Sequence, residues 1–220
     1  DVVVHYDMEK YIAYYQANGE GYSDRKDIYG NYRFEGCIRM DYENNLGSGS
    51  ISDLPQNVII YGNHLGSPQG VSNDPDGIMS APLLHFRDEE FAAKTPYIYL
   101  TTDKADLIYQ IFSIADLPLI TNSIEFNWVS YSDEDFLTLI ADLRERSYFD
   151  YPEVSVGTGD KILSLVTSVY DYGSHNENSE QRFTIFSKLV TDNQFKETAN
   201  VTVNVDRKLP PYDPNANNAE

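Results

Sequence analysis

Three short stretches carry polar side chains that a plain β-domain does not need. "NVIIYGNHLG" (57–66) ends a strand with Asn63 and His64, "ILSLVTSVYDY" (162–172) carries Ser168, and "EQRFTIFSKLV" (180–190) opens on Arg182. A histidine can move a proton near neutral pH. An arginine can hold a carboxylate or a developing oxyanion. A serine hydroxyl becomes a nucleophile only beside a base that a third group orients. The plain alternatives are a loop histidine and a strand arginine, both exposed and without a task.

The elements that must position these residues are mostly strands. "NVIIYG" (57–62) is β-branched and closed by glycine, and "RFTIFSKLVT" (182–191) is a second clear strand. "YIYLTT" (97–102) and "LIYQIFSIAD" (107–116) pair across a tight "DKA" turn. "CIRMDY" (37–42) alternates like a half-buried strand, "EVSVGTGDKILSLVTSVYDY" (153–172) predicts two strands around a Gly-rich turn, and "ANVTVNV" (199–205) predicts a last one. Helices are expected at 8–19, at 85–94 and, most clearly, at 132–147. In the last, Ser132 is the N-cap, Asp135 completes a capping box, and Phe136, Leu139, Ile140 and Leu143 form one apolar stripe. Asp133, Glu134 and Asp135 are read as helix-start charges favoured by the dipole, not as metal ligands.

Composition excludes several partners. The formal charge is −19 over 220 residues, which repels phosphate backbones and anionic lipid alike. The single cysteine, Cys37, rules out an internal disulfide and a cysteine-clustered metal site. It is read as a small buried hydrophobe. No apolar run is long enough to span a bilayer. Neither a metal nor a cofactor is expected.

Taken together, the three stretches resemble the sortases, class B most closely. In that family a strand ending in Tyr-Gly-His supplies a histidine, a Thr-Leu-x-Thr-Cys strand supplies the nucleophile, and the next strand supplies an arginine in an Arg-Phe context. "FEGCIRMDYEN" (34–44) is similar to a class B Gly-x-Ile-x-x-Asp strand, and the long helix before the nucleophile strand is a class B trait. The resemblance implies a mostly β fold: a closed eight-stranded barrel with peripheral helices, over residues 1–190. Residues 191–220 would add a C-terminal strand and a loose polar tail. It implies a cysteine transpeptidase that cleaves a sorting-signal peptide of the Leu-Pro-x-Thr-Gly kind. The acyl group would pass to an amine, either a peptidoglycan cross-bridge or a pilin lysine. The work would be done on the outer face of a Gram-positive cell. It also implies that Ser168 holds the nucleophile position, His64 the acid–base role, and Arg182 the substrate and oxyanion. Thr167, Tyr170 and Tyr61 would line the peptide site.

Three departures stand out. Serine replaces the cysteine at 168, so the chain is expected to be inert as it stands: the hydroxyl ionises far less readily than a thiol. Asn63 occupies the usual histidine position, with His64 one step later. "DVVVHYDMEKYI" (1–12) resembles the stretch after the family's second strand, so the N-terminal part, with any membrane anchor, is expected to be missing. Ser168 marks either an engineered replacement or a natural, non-catalytic descendant that binds a peptide or a surface partner. A third reading is an unrelated tyrosine-rich domain that binds glycan or protein, for which the 18 tyrosines would serve.

Overall fold

The computed structural model describes residues 26–210, apart from 28, 68–69, 119, 122–123, 173–180 and 193–194. The expected helix at 8–19 and residues 211–220 of the expected tail lie outside that range. In chain order the strands are β1 (Arg39–Met40), β2 (Asn57–Tyr61), β3 (Tyr97–Thr101), β4 (Asp106–Pro118), β5 (Ile120–Thr121), β6 (Ile124–Glu125), β7 (Phe149–Asp150), β8 (Ile162–Ser168), β9 (Gln181–Leu189) and β10 (Thr202–Val203). The helices are α1 (Glu89–Lys94) and α2 (Asp133–Arg146), with a 3-10 helix at Ala81–Arg87.

Six strands form one sheet in the order β1-β2-β8-β9-β4-β3. β2 and β8 run parallel, while β9 is antiparallel to both β8 and β4. Hence the C-terminal ends of β2 and β8 and the N-terminal end of β9 meet at one end of the sheet. The sheet curls. Thr102 Oγ1, after β3, donates to Gly49 O at 3.0 Å. Met40 and Leu54 share an apolar cluster with Leu107 and Tyr109 of β4. A register shift in β4 between Ile111 and Ser113 bends that strand further.

Of the expected eight-stranded barrel, the described residues form this mostly β, curled six-stranded half-barrel. β10 does not complete it, because β10 pairs only with β7. Other expected elements are shorter or absent. "CIRMDY" forms only the two-residue β1. The segment before β8 is irregular: β8 is flanked by β2 and β9, which leaves no free edge for another strand. Gly157 there donates instead to Asp160 Oδ2 at 2.8 Å. The helix expected at 85–94 is split at Asp88, whose side chain caps α1 by accepting from Phe91 N.

Helix α2 matches its pattern. Asp135 N donates to Ser132 Oγ at 3.1 Å, and Ser132 Oγ donates to Asp135 Oδ2 at 2.7 Å, which is the expected capping box. Phe136, Leu139, Ile140 and Leu143 are buried with Phe112, Phe126 and Phe186, while Asp133 and Glu134 face solvent. On this helix Asp142 and Arg146 form a buried pair at 2.7 Å. The chain after β10 covers that pair: Arg146 Nη1 donates to Leu209 O at 3.4 Å.

Truncating Phe136 to alanine should cost about 3–5 kcal/mol. Truncating its neighbour Leu137, half exposed at 50%, should cost under about 0.5 kcal/mol. Urea denaturation of the two variants distinguishes a helix seated through the expected stripe from one seated otherwise.

Candidate functional site

Ser168 and Arg182 are direct cross-strand partners in the β8–β9 ladder. Directly opposed residues project to the same face with Cβ atoms about 5 Å apart. One step back on that face lie Tyr61, Val166 and Thr184, in register across β2, β8 and β9. On the far side of Arg182 stands Leu117 of β4. Ser168 and Arg182 are both partly exposed. Arg182 Nη1 donates to Gln181 O at 2.8 Å.

The turn after β2 decides where the histidine goes. Gly62 N donates to Val166 O at 3.1 Å, continuing the parallel ladder. The next acceptor along β8 on that side is Ser168 O. His64 Nδ1 takes it, at 3.2 Å. A carbonyl only accepts, so Nδ1 carries the proton, and the neutral ring keeps its lone pair on Nε2. The ring is fully buried, and Nε2 has no hydrogen-bond partner among the described residues. Tyr170 closes over it: its hydroxyl donates to His64 O at 2.6 Å and its ring centroid lies 5.3 Å from the imidazole. Burial pushes the His64 pKa below the ordinary value. The Ser168 carbonyl opposes this, Arg87 reinforces it, and Asp171 and Asp74 oppose it weakly.

Asn63 faces differently. The β2–β8 ladder ends at Tyr61 and Val166, with Gly62 N still donating to Val166 O, so Asn63 lies past the regular register. Asn63 is partly exposed, and its Nδ2 donates to Glu35 O at 2.9 Å. Gly62 between them allows close packing: a Cβ there would lie 1.9 Å from Ser80 Oγ.

The other expected peptide-site residues divide. Tyr61 is on the Ser168 face, where its hydroxyl accepts from Asn127 Nδ2 at 3.1 Å. Thr167 points the opposite way, is buried, and donates to Gly62 O at 2.7 Å, tying β8 to the end of β2. Tyr170 packs on His64 as above. Cys37 is buried near the start of β1, away from β8 in the strand order. Further back on the same face, Asn57 Nδ2 donates to Phe126 O and Trp128 O, and Ser164 Oγ donates to Asn57 Oδ1 at 2.6 Å. That network fixes the 126–128 segment that presents Asn127 to Tyr61.

No family model and no curated protein matches the sequence. Solved structures do match. The chain aligns with sortase B of Clostridium perfringens at TM-score 0.60 and 21% identity, covering 78% of this chain and 82% of that one. With a Staphylococcus aureus sortase B–substrate complex the TM-score is 0.59 at 21% identity, covering 78% and 69%. With sortase B from B. anthracis in complex with AAEK1 it is 0.57 at 21% identity, covering 87% and 89%. The fold is sortase B-like.

Within this sortase B-like frame, one polar cluster was not expected from sequence. Arg87 reaches Asp116 Oδ1 at 3.2 Å and Asp171 Oδ2 at 2.6 Å. The buried Asp116 also accepts from the hydroxyls of Tyr148 (2.6 Å) and Tyr172 (3.0 Å). Asp171 in turn accepts from Asn73, which also receives Tyr170 N. The cluster anchors the chain just past Ser168. Its one sequence signal is a carboxylate inside the apolar run "IFSIADLPL" (111–119). Among the described residues, no group of three or more His, Cys, Asp or Glu side chains could hold a metal ion. No described helix is long and apolar enough to cross a membrane.

The depressed His64 pKa makes stability depend on pH. The unfolded chain takes up this proton below about pH 6.5, while the folded chain refuses it until lower pH. The His64 contribution is therefore complete above that value and is lost as pH falls, by up to about 1.4 kcal/mol per unit. His64→Asn, which keeps an N–H donor for Ser168 O, should show a flatter melting temperature between pH 8 and pH 5. Equal slopes for the two proteins would contradict the assignment.

Proposed function

We propose that this chain is a class B-type sortase protein whose groove receives an extended sorting-signal peptide and, in the form described here, binds it without cleaving it. The observation that carries this reading is the Ser168–Arg182 pair on one face, with the His64 imidazole turned away onto the Ser168 backbone. Arg182 is placed to hold a peptide carbonyl or carboxylate by charge-assisted hydrogen bonds. The fold likeness to a sortase B solved with its substrate supports a peptide as ligand.

The chemistry of turnover is what the site lacks. A serine nucleophile needs a base within hydrogen-bond reach. His64 has committed Nδ1–H to Ser168 O, and its Nε2 is buried without a hydrogen-bond partner among the described residues. Asn63, which by the resemblance occupies the family's histidine position, neither takes nor gives a proton at neutral pH. In an active relative of this design, a cysteine thiolate at 168 would attack the peptide carbonyl and form a thioester. An imidazole at 63 would protonate the leaving amine. An acceptor amine, from a cell-wall cross-bridge or a pilin lysine, would then release the acyl group. The residues that hold the peptide remain, and those that move electrons and protons are replaced. The proposed place of action is the outer surface of a Gram-positive cell.

The test is cleavage of a fluorogenic sorting-signal peptide library with hydroxylamine as acceptor. The chain as it stands should be inert. Ser168→Cys should gain little, and adding His64→Ala to it should change nothing. Ser168→Cys combined with Asn63→His and His64→Asn should exceed Ser168→Cys by about 10²-fold or more, the usual contribution of a positioned acid–base group. Robust turnover by the unmodified chain would overturn the proposal and make Ser168 a true serine nucleophile. A Ser168→Cys enzyme that depends on His64 would show that the imidazole reaches the groove.

A further inference from the structure

We infer that His64 and Met79 form an acid-released latch: at neutral pH it clamps residues 71–80 to the exit of β8, and a second proton on the imidazole frees both. The inference does not depend on a peptide being bound.

Two unfavourable features meet at one point of the backbone. His64 and Met79 are partners in an isolated antiparallel bridge. Met79, at φ 62°, is the one non-glycine residue with positive φ among the described residues. A Cβ in that left-handed region crowds the neighbouring carbonyl, so such a residue persists only where its surroundings impose it. Across the bridge, the buried His64 Nε2 has no hydrogen-bond partner among the described residues. Flanking contacts supply the constraint. Ser80 N donates to Asn63 O at 2.9 Å. Gly77 lies so close to Gly66 that a Cβ on it would stand 2.3 Å from Gly66 O. Residues 62–66 and 71–80 are thus joined on both sides of the bridge.

Four hydrogen bonds fasten this piece to the exit of β8. His64 Nδ1 donates to Ser168 O at 3.2 Å, and the Tyr170 hydroxyl donates to His64 O at 2.6 Å. Tyr170 N donates to Asn73 Oδ1 at 3.1 Å, and Asn73 Nδ2 donates to Asp171 Oδ1 at 2.7 Å. Two of the four use His64. The imidazole fits as a neutral ring with one N–H. A proton on Nε2 would make a buried cation whose new N–H meets no acceptor. Burial opposes that proton most. The Ser168 carbonyl favours it, Arg87 of the 3-10 helix opposes it, and Asp171 past β8 and Asp74 of the clamped segment favour it weakly. His85 reaches Asp76 at 3.4 Å and holds it more tightly when protonated, so it acts against release. Arg87 keeps its grip on Asp171 and Asp116 throughout. Release therefore loosens Ser168–Tyr170 and residues 71–80 and leaves the sheet folded. The residue in the nucleophile position is held at neutral pH and mobile in acid.

The test is amide hydrogen exchange of the whole chain between about pH 7.5 and 5, corrected for the intrinsic rate at each pH. Opening constants read at Ser80 N and Tyr170 N should rise together below about pH 6.5, by up to about tenfold per pH unit, while the amides of β4 stay protected. His64→Asn, which can donate to Ser168 O but cannot take a proton, should remove the pH dependence at both amides. Met79→Gly accepts the left-handed backbone. Met79→Ala loses the same side chain but keeps the crowding. The glycine variant should open about threefold less than the alanine variant at neutral pH. Two amides that open at different pH values, or a pH dependence that survives in His64→Asn, would overturn the latch. So would a Met79→Gly chain that opens more than Met79→Ala.

Discussion

The parallel pairing of β2 with β8 is the constraint on which the rest depends. Parallel neighbours end together, so the residues just past Tyr61 and the residue that closes β8 are brought to one place. β9, antiparallel to β8, delivers its first residues to the same place. Three segments far apart in sequence therefore converge without any loop having to reach across. An antiparallel β2 would have sent Gly62–His64 to the opposite end of the sheet. The buried polar groups follow from this arrangement. Where β2 stops being a strand, the next carbonyl of β8 is left without a ladder donor. The His64 ring supplies one, at 3.2 Å.

The same reasoning explains why the end of β8 is so heavily tied. Ser168 O is held by His64, Tyr170 N by Asn73, and Asp171 by Arg87 and Asn73. Arg87 is in turn fixed by Asp116 and sandwiched against Tyr148 and Phe183. These contacts hold the exit of β8 from the side opposite the Ser168 face. Ser168 and Arg182, on the other face, stay partly exposed.

Much of this was legible in the sequence where local physics dominates. Helix 133–146 announced itself by cap, stripe and terminal charges, and strands 57–61, 162–168 and 181–189 by β-branched runs. The roles of Ser168 and Arg182 were expectations drawn from family resemblance, not from periodicity. The direction of His64 was not legible, because side-chain alternation holds only while the chain remains a strand, and β2 ends at Tyr61. The alternating "EVSVG" (153–157) misled for a different reason: alternation marks a segment that could pair, and no edge of β8 was left for it. "ANVTVNV" found a partner only as long as β7, two residues. Arg87 and Asp116 stayed hidden because their meeting is set by tertiary geometry across separate elements.

The Asn57–Ser164 hydrogen bond joins residues 107 apart in the chain. Closing a loop of that size costs conformational entropy long before any contact repays it. Topologies built on such distant pairings fold slowly. The β3–β4 hairpin needs only a short turn and is available early. The β2–β8 seam must wait for nearly everything between its strands to be threaded into place. The end of the sheet that carries Ser168 and Arg182 depends on that late seam.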